Sequence, residues 1–254
     1  FRSLPMIAVL GVSLLIGCGS PAGPSDQNSA SDSASGNTNI ASTTSNRSAD
    51  VTGGTLCSND YYPISQEVRE YKISGDGPGT YKLSQRPDGD QGFVETRSFA
   101  QGLTVENNWL CTAEGLRNAE YKNTITMNQG NFEMDTVRSS GITLPKVWES
   151  GKDWTTNYDV KVSVAAGPIK TAADGQVTLV NKVGPLSEKV TASGKEFEAA
   201  RVDSTLEIKI TMKGVTTQPT KFTMTNWYAK GVGLVRQEAK GAFGTQIVEL
   251  ASPQ

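Results

Sequence analysis

Apolar and polar residues alternate along several segments in the second half of the chain. The clearest is 206–213, where Leu, Ile, Ile and Met take every second position and charged residues or Thr take the positions between. Successive side chains of a strand point to opposite faces, so this period of two predicts strands with one buried face and one face in water. Such strands are typical of antiparallel sheets. The same alternation recurs at 158–164 and 222–225, and more weakly at 71–73, 81–83 and 177–180.

Turn-forming residues separate these segments. Clusters of Gly, Asp, Asn and Ser at 74–79, 129–131, 173–175 and 192–194 predict hairpin turns. After residue 57 no window has a sustained apolar stripe at helical spacing, and only 110–116 and 145–150 are compatible with a short turn each.

We therefore predict an all-β fold with little helix, formed by roughly ten to thirteen strands in one domain over residues 57–254. A flat open sheet of that width is unusual and would leave an apolar face exposed. The expected architecture is a single large antiparallel sheet that curls into a half-barrel. A closed barrel and a two-sheet sandwich remain alternatives, because periodicity does not separate the three.

The N-terminal residues have the pattern of a secretion signal. A mostly apolar run at 4–16 is too short to span a bilayer comfortably and ends in Leu-Ile-Gly followed by Cys18. This ending resembles the bacterial lipobox, so we predict a signal peptide at 1–17 and acylation of Cys18. The alternative is an ordinary cleaved signal with an incidental cysteine.

Residues 18–56 have a different composition. They are rich in Ser, Thr and Asn and contain few sizeable aliphatic residues. A segment with so little apolar area cannot offset the backbone entropy lost on folding, about 1–2 kcal/mol per residue. We expect a disordered tether that joins the domain to a lipid anchor in the membrane.

Composition removes several kinds of chemistry. With 24 Lys and Arg against 26 Asp and Glu, the net charge of −2 does not indicate nucleic-acid binding. The chain contains no His, which excludes His-dependent catalytic triads and His-ligated zinc sites. It also lacks a Gly-Lys-Ser phosphate loop, a Gly-x-Ser-x-Gly elbow and a Ser-x-x-Lys pair. An acidic cluster at 88–92 is more typical of an ordinary turn than of a calcium loop. We expect no catalytic residues, no metal site and no cofactor.

Two cysteines remain after Cys18. Cys57 begins the domain and Cys111 follows a Trp-Leu pair. In an exported chain, two remaining cysteines predict one disulfide. By loop entropy this disulfide would stabilise the domain by about 4 kcal/mol. Two separate buried thiols are the alternative.

The four tryptophans are candidates for a ligand groove or for the core. Buried or sheet-rim packing is the more frequent role of any single tryptophan, and we favour it here. The four are Trp109, Trp148, Trp154 and Trp227.

Several short motifs together resemble a known group. They are Tyr-Tyr-Pro-Ile at 61–64, Cys-Thr-Ala-Glu-Gly-Leu at 111–116, Gly-Lys-Asp-Trp at 151–154, Gly-Lys-Glu-Phe-Glu-Ala at 194–199 and Trp-Tyr-Ala-Lys-Gly-Val-Gly-Leu-Val at 227–235. Their order and spacing resemble the TapB-like group of bacterial envelope lipoproteins. That resemblance implies a curved sheet similar to the carriers LolA and LolB and an extracytoplasmic, lipid-anchored location in the cell envelope. It implies no catalytic residues.

Two function classes follow. The first is a tethered, non-catalytic binding or carrier module for an apolar ligand, such as a lipid, or for a segment of an envelope protein. The second is a structural or assembly lipoprotein that acts through its outer surface. The sequence assigns no ligand-binding residues for either class.

Overall fold

The computed structural model describes residues 55–100, 102–127, 130–166, 169–212, 214–241 and 244–251, with side-chain surroundings given outside 120–134 and 164–170. The predicted signal peptide, Cys18 and nearly all of the predicted tether lie outside these residues. Within them the one helical element is a 3-10 helix at Thr55–Cys57, so the described residues include no helix long and apolar enough to cross a bilayer.

Fifteen strands follow this short helix in the described part of the chain. They are β1 (Arg69–Gly75), β2 (Gly79–Pro87), β3 (Gly92–Phe99), β4 (Thr104–Cys111), β5 (Gly115–Met127), β6 (Gly130–Ser140), β7 (Leu144–Pro145), β8 (Asp153–Ala166), β9 (Ile169–Val183), β10 (Glu188–Ala192), β11 (Lys195–Met212), β12 (Val215–Thr216), β13 (Thr220–Ala229), β14 (Gly233–Gly241) and β15 (Gly244–Leu250). β7 and β12 have two residues each, and the remaining strands match the predicted number.

All strands belong to one antiparallel sheet. Its order is β10-β11-β13-β14-β15-β1-β2-β3-β4-β5-β6-β8-β9, with β7 beside β5 and β12 beside β11. The predicted all-β fold with a single large curled antiparallel sheet is confirmed. The curl brings the two ends of this order together, because β9 pairs with β11 as well as with β8. The strands therefore surround a common interior.

The predicted alternation agrees with burial. In β11, Leu206 and Ile208 are buried, whereas Lys209 is exposed. Tyr158, Val160 and Val162 of β8 are buried in the same way. The period of two thus identified which side chains point inward.

Hairpin turns form at two of the four predicted positions. The turn at 74–79 joins β1 to β2. The turn predicted at 129–131 lies partly outside the described residues, and Gly130 and Asn131 begin strand β6. At 192–194, Ser193 and Gly194 have φ of 48° and 82°, the left-handed conformation that a tight two-residue hairpin needs.

The turn predicted at 173–175 is wrong. Gly175 lies inside β9, opposite Val160 of β8 and Ile210 of β11. A Cβ atom at this position would lie 2.7 Å from Val160 Cγ2. The glycine therefore provides space for a neighbouring core side chain rather than a turn.

The N-terminal segment, residues 57–64, packs across one end of the interior. Asn59 donates from Nδ2 to the carbonyl oxygen of Pro145 at 2.9 Å, and the Gly231 amide donates to the carbonyl oxygen of Asp60 at 2.8 Å. Tyr61 packs on Trp148 with ring centroids 4.6 Å apart. These contacts tie the segment to β7 and to the connections that follow β7 and β13.

The structure contains the predicted disulfide. Cys57 of the N-terminal segment is joined to Cys111 at the end of β4, with 4.9 Å between the Cα atoms. Both residues are buried within an aromatic cluster that includes Trp109 and Trp148. The disulfide therefore fixes the start of the domain to the sheet.

Candidate ligand-binding cavity

A cavity of about 130 Å³ lies inside the curled sheet. Its wall combines aromatic rings, aliphatic side chains and uncharged polar side chains from both halves of the sheet. The polar members from the strands include a set that we call the polar belt: Asn107, Asn118, Asn181, Ser204, Asn226 and Gln237.

One part of the polar belt is a continuous hydrogen-bonded chain across four strands. Gln237 of β14 donates from Nε2 to Asn226 Oδ1 at 2.5 Å. Asn226 Nδ2 donates to Ser204 Oγ at 3.5 Å, and this hydroxyl donates to Asn181 Oδ1 at 2.7 Å. All four residues are buried. The chain follows the sheet because its members occupy inward positions on neighbouring strands.

The other part of the belt lies on β4 and β5. Asn118 donates from Nδ2 to Asn107 Oδ1 at 3.2 Å. Thr143 precedes β7. Its carbonyl oxygen accepts a hydrogen bond from Trp154 Nε1, and its Oγ1 atom lies 3.5 Å from the Tyr158 hydroxyl oxygen. Hydrogen-bonding groups thus face the cavity from several directions.

Four buried polar atoms on the cavity residues have no hydrogen-bond partner within the described part of the chain. They are the acceptors Asn118 Oδ1 and Gln237 Oε1 and the donors Asn181 Nδ2 and Trp109 Nε1. Buried polar groups are almost always paired with protein or with ordered water. All four residues also line the cavity.

A buried charged pair lies beside this belt. Glu95 of β3 is fully buried, and Arg97 Nη2 lies 2.8 Å from its Oε1 atom. The Tyr62 hydroxyl donates to the second carboxylate oxygen of Glu95. Arg97 lines the cavity and lies over the ring of Tyr81, 5.8 Å from its centroid. Because the carboxylate neutralises the guanidinium, this part of the wall has little net charge.

The tyrosines of the interior are held in their neutral form. Burial raises the pKa of Tyr62 well above its ordinary value, and the Glu95 carboxylate raises it further. Burial also raises the pKa of Tyr71, Tyr81 and Tyr228. For Tyr158, burial raises the pKa more than its hydrogen bond to Thr143 lowers it. At neutral pH these side chains act as hydrogen-bonding and packing groups.

The arrangement is suited to binding. Apart from the paired Arg97 guanidinium, the polar side chains that line it carry amides, hydroxyls and indole N–H groups, which are uncharged hydrogen-bonding groups. Among the described residues no three His, Cys, Asp or Glu side chains are grouped to hold a metal ion.

The cysteines and three of the four tryptophans singled out from the sequence lie in the aromatic cluster or in the cavity wall. Cys57 and Cys111 lie in the aromatic cluster under the N-terminal segment. All four tryptophans are buried, as favoured from the sequence, but Trp109 and Trp154 also line the cavity. The core and ligand-facing roles are therefore compatible for these two residues.

Sequence reasoning missed the polar belt. Its signal was present, because Asn181 follows Val177 and Leu179 at the inward positions of β9, and Ser204 lies between Val202 and Leu206 in β11. A polar residue where alternation calls for an apolar one marks a buried hydrogen-bonding group.

Comparisons with known proteins give a family and one structural likeness. The chain is 15% identical to a Bacteroides fragilis protein with a YmcC-like fold that is inferred to be exported; the match covers 76% of this chain and 98% of that chain, with a TM-score of 0.41. No curated protein matches the chain at a significant level. The family model described as DUF3108-like matches residues 105–244, a range that contains the whole polar belt. Because this match covers more than half of the sequence, the chain belongs to the DUF3108-like family.

Proposed function

We propose that this protein is a non-catalytic binding module of the bacterial cell envelope that holds a small ligand inside its curled sheet. The observation that carries the proposal is the cavity of about 130 Å³, whose wall combines aromatic and aliphatic side chains with the amides and the hydroxyl of the polar belt. A largely apolar pocket with a few convergent polar groups is the usual form of a small-molecule site.

The cavity also narrows the kind of ligand. Sequence alternation alone led us to expect an apolar guest such as an acyl chain. An acyl chain offers no hydrogen bonds to the amides that line the cavity, such as those of Asn181, Asn226 and Gln237. We therefore propose a guest with polar groups of its own.

The proposed location rests on the N-terminal sequence and on the disulfide. The lipobox at Cys18 supports acylation, and residues 18–56 support a flexible tether to the membrane. The Cys57–Cys111 disulfide is of a kind that persists in oxidising compartments outside the cytoplasm. The resemblance to TapB-like lipoproteins and to the LolA and LolB carriers supports the same location.

Native mass spectrometry of the full chain, purified in detergent from its own membrane, tests the binding function. A small molecule that remains bound and is lost on unfolding would support it. A ligand-free protein that instead co-purifies with an envelope protein bound at its outer surface would favour the structural or assembly role.

The anchor is tested separately by membrane fractionation of the Cys18→Ala variant. We expect the variant to leave the membrane fraction and the wild type to carry an acyl mass on Cys18. A Cys57→Ala/Cys111→Ala variant serves as the control, because it removes two cysteines but keeps the lipobox. Membrane retention of Cys18→Ala, together with no acyl mass on the wild type, would contradict the anchor.

A further inference from the structure

We infer that the N-terminal segment is the gate of the cavity, under which a small molecule enters and leaves the interior. This inference rests on the proposed binding function and adds the route of access. It follows from three features of the segment: its path across one end of the curled sheet, the side chain that it places in the cavity wall, and the way in which its two ends are held.

The segment crosses the end of the curled sheet and does not follow its edge. Cys57 is joined to Cys111 at the end of β4. Three residues later, Asp60 accepts a hydrogen bond from Gly231, which lies between β13 and β14. Four strands, β15, β1, β2 and β3, separate β14 from β4 in the sheet. These five strand spacings measure about 24 Å, whereas three residues reach about 11 Å at most, and the disulfide and the hydrogen bond do not make up the difference. The segment therefore spans the opening at this end of the sheet.

Tyr62 closes the cavity on the side of the segment. Its side chain lines the cavity, and the centroid of its ring lies 5.5 Å from that of Trp109 and 6.4 Å from that of Tyr228. Its hydroxyl donates to the buried carboxylate of Glu95. Part of the cavity wall thus belongs to the segment and not to the sheet. An outward movement of the segment would remove this part of the wall and connect the cavity with water.

The opposite end of the interior is filled by an apolar cluster. Leu206, Ile208 and Phe222 are buried there and belong to the same cluster as Val177 and Met224 of the cavity wall. Side chains packed at the density of a protein core leave no path for a molecule of several heavy atoms. A guest would have to separate this cluster to pass, so the end under the segment is the easier route.

Both ends of the segment are held, so it can move as a flap. The disulfide fixes Cys57, and β1 begins at Arg69. Residues 58–68 between these two points belong to no strand, and 66–68 are exposed. Parts of a protein with few buried contacts open locally at a lower free-energy cost than strands inside a sheet. Residues 66–68 therefore provide the hinge, and the disulfide returns the segment to its place after each opening.

The reaction rate of a buried thiol tests the gate without any ligand. Val177→Cys places a thiol in the cavity wall, and Val248→Cys places one at an equally buried position that does not line the cavity. The reagent is methyl methanethiosulfonate, which has six heavy atoms, as many as benzene, a guest of an engineered cavity of about 150 Å³. The full chain is treated in detergent, and peptide masses report the reaction at 177 and 248 separately from any reaction at Cys18.

We expect position 177 to react at least about tenfold faster than position 248 under native conditions, because only position 248 requires the sheet to unfold. Tyr61→Ala removes the packing of the segment on Trp148 and leaves the residues that line the cavity unchanged. This variant should raise the rate at position 177 by a further factor of about ten or more.

Val105→Ala is the matched control. Val105 is buried in β4, near the end of the strand that is remote from Cys111, and does not line the cavity. Its truncation destabilises the sheet but not the gate, so it should raise the rate at position 248 and leave the rate at position 177 unchanged. Ser204→Cys, which exchanges one atom, provides a second position in the cavity wall and should behave as position 177 does.

The outcomes separate the gate from the binding function. Equal rates at positions 177 and 248 would show that the cavity opens only when the sheet unfolds and would overturn the gate. A fast reaction at position 177 that Tyr61→Ala does not change would also overturn it, because entry would then lie elsewhere. Both results would leave the binding function in place, since a small molecule that stays bound in native mass spectrometry decides that question independently.

Discussion

At the scale of single residues, the buried Glu95 is the side chain most dependent on its partners. It accepts hydrogen bonds from Arg97 and from Tyr62, and it is fully buried. Removing one partner of a buried ion pair is strongly destabilising, and here it would also remove the acceptor of the buried Tyr62 hydroxyl.

We therefore expect Glu95→Gln to lower the free energy of unfolding by about 3 kcal/mol. Glu106→Gln is the control, because Glu106 lies on the exposed face of the neighbouring strand β4. Urea denaturation followed by circular dichroism measures both variants. Equal stability of Glu95→Gln and the control would mean that Arg97 does not depend on this carboxylate.

Residue-level prediction from sequence succeeded where the chemistry is local. The pairing of Cys57 with Cys111 followed from counting the cysteines of a chain that its sequence predicts to be exported. The polar belt did not follow, because the hydrogen bonds of Asn181 and Asn226 depend on which strands are neighbours. Ser204 joins them across β11, and periodicity carries no information about this arrangement.

At the scale of elements, the N-terminal segment depends on a covalent link. Its residues are not part of any strand, and the disulfide that joins it to β4 spans a sequence separation of 54 residues. Loop entropy assigns about 4 kcal/mol of stabilisation to a link of that length.

The Cys57→Ala/Cys111→Ala variant should lose about 4 kcal/mol of stability. It should also show faster amide hydrogen exchange in residues 57–64 than in the strands. Adding a reductant to wild type should reproduce both effects, and adding it to the variant should change nothing. Unchanged exchange of the segment after reduction would show that its non-covalent contacts are sufficient.

Strand β9 has no room for a side chain at Gly175. A methyl group here would meet Val160 Cγ2 at 2.7 Å and Ile210 Cδ1 at 3.3 Å. The sequence predicted a turn at this position because Asp-Gly is a turn signal, but pairing with strands on both sides outweighs that local preference.

We expect Gly175→Ala to destabilise the protein by about 1–3 kcal/mol through overpacking. Combining it with Val160→Ala removes the clash, so the double variant should be more stable than the sum of the two single effects predicts. Denaturation of all four proteins completes the cycle. Strict additivity would show that the two side chains do not meet.

At the scale of the whole molecule, the neutral tyrosines of the interior make the free energy of unfolding depend on pH in the alkaline range. Burial raises the pKa of five of them, Tyr62, Tyr71, Tyr81, Tyr158 and Tyr228, above the ordinary value of 10.0. In the unfolded chain they ionise near that value. The stabilisation from the neutral form is therefore complete below pH 10 and is lost as the pH rises through the folded values.

We expect cooperative unfolding above about pH 10, in which phenolate absorbance and loss of β-sheet circular dichroism occur together. Tyr158→Phe should retain more stability at high pH than wild type, because it removes one group that ionises on unfolding. Tyrosine ionisation that is complete while the sheet persists would contradict this coupling.

Whole-molecule features were only partly accessible from the sequence. Alternation in six segments predicted antiparallel strands with one buried face, and the expected number of strands favoured a curled sheet over a closed barrel or a sandwich. The pairings that join distant parts of the chain, β1 with β15 and β9 with β11, could not be predicted in this way. Local patterns specify faces, whereas long-range partners depend on how the complete sheet curls.

The pairing of β1 with β15 has a consequence for the order of folding. Tyr71 is opposite Leu250, and the Ala251 amide donates to the carbonyl oxygen of Glu70 at 2.8 Å. Strand β1 therefore cannot complete its pairing until β15 has formed. Until then each of these two strands has an unpaired edge that can pair with another chain. Sheets dominated by such distant contacts fold slowly, over milliseconds to seconds. A chain that lacks β15 should therefore accumulate as aggregates, so correct folding depends on the last strand of the sheet.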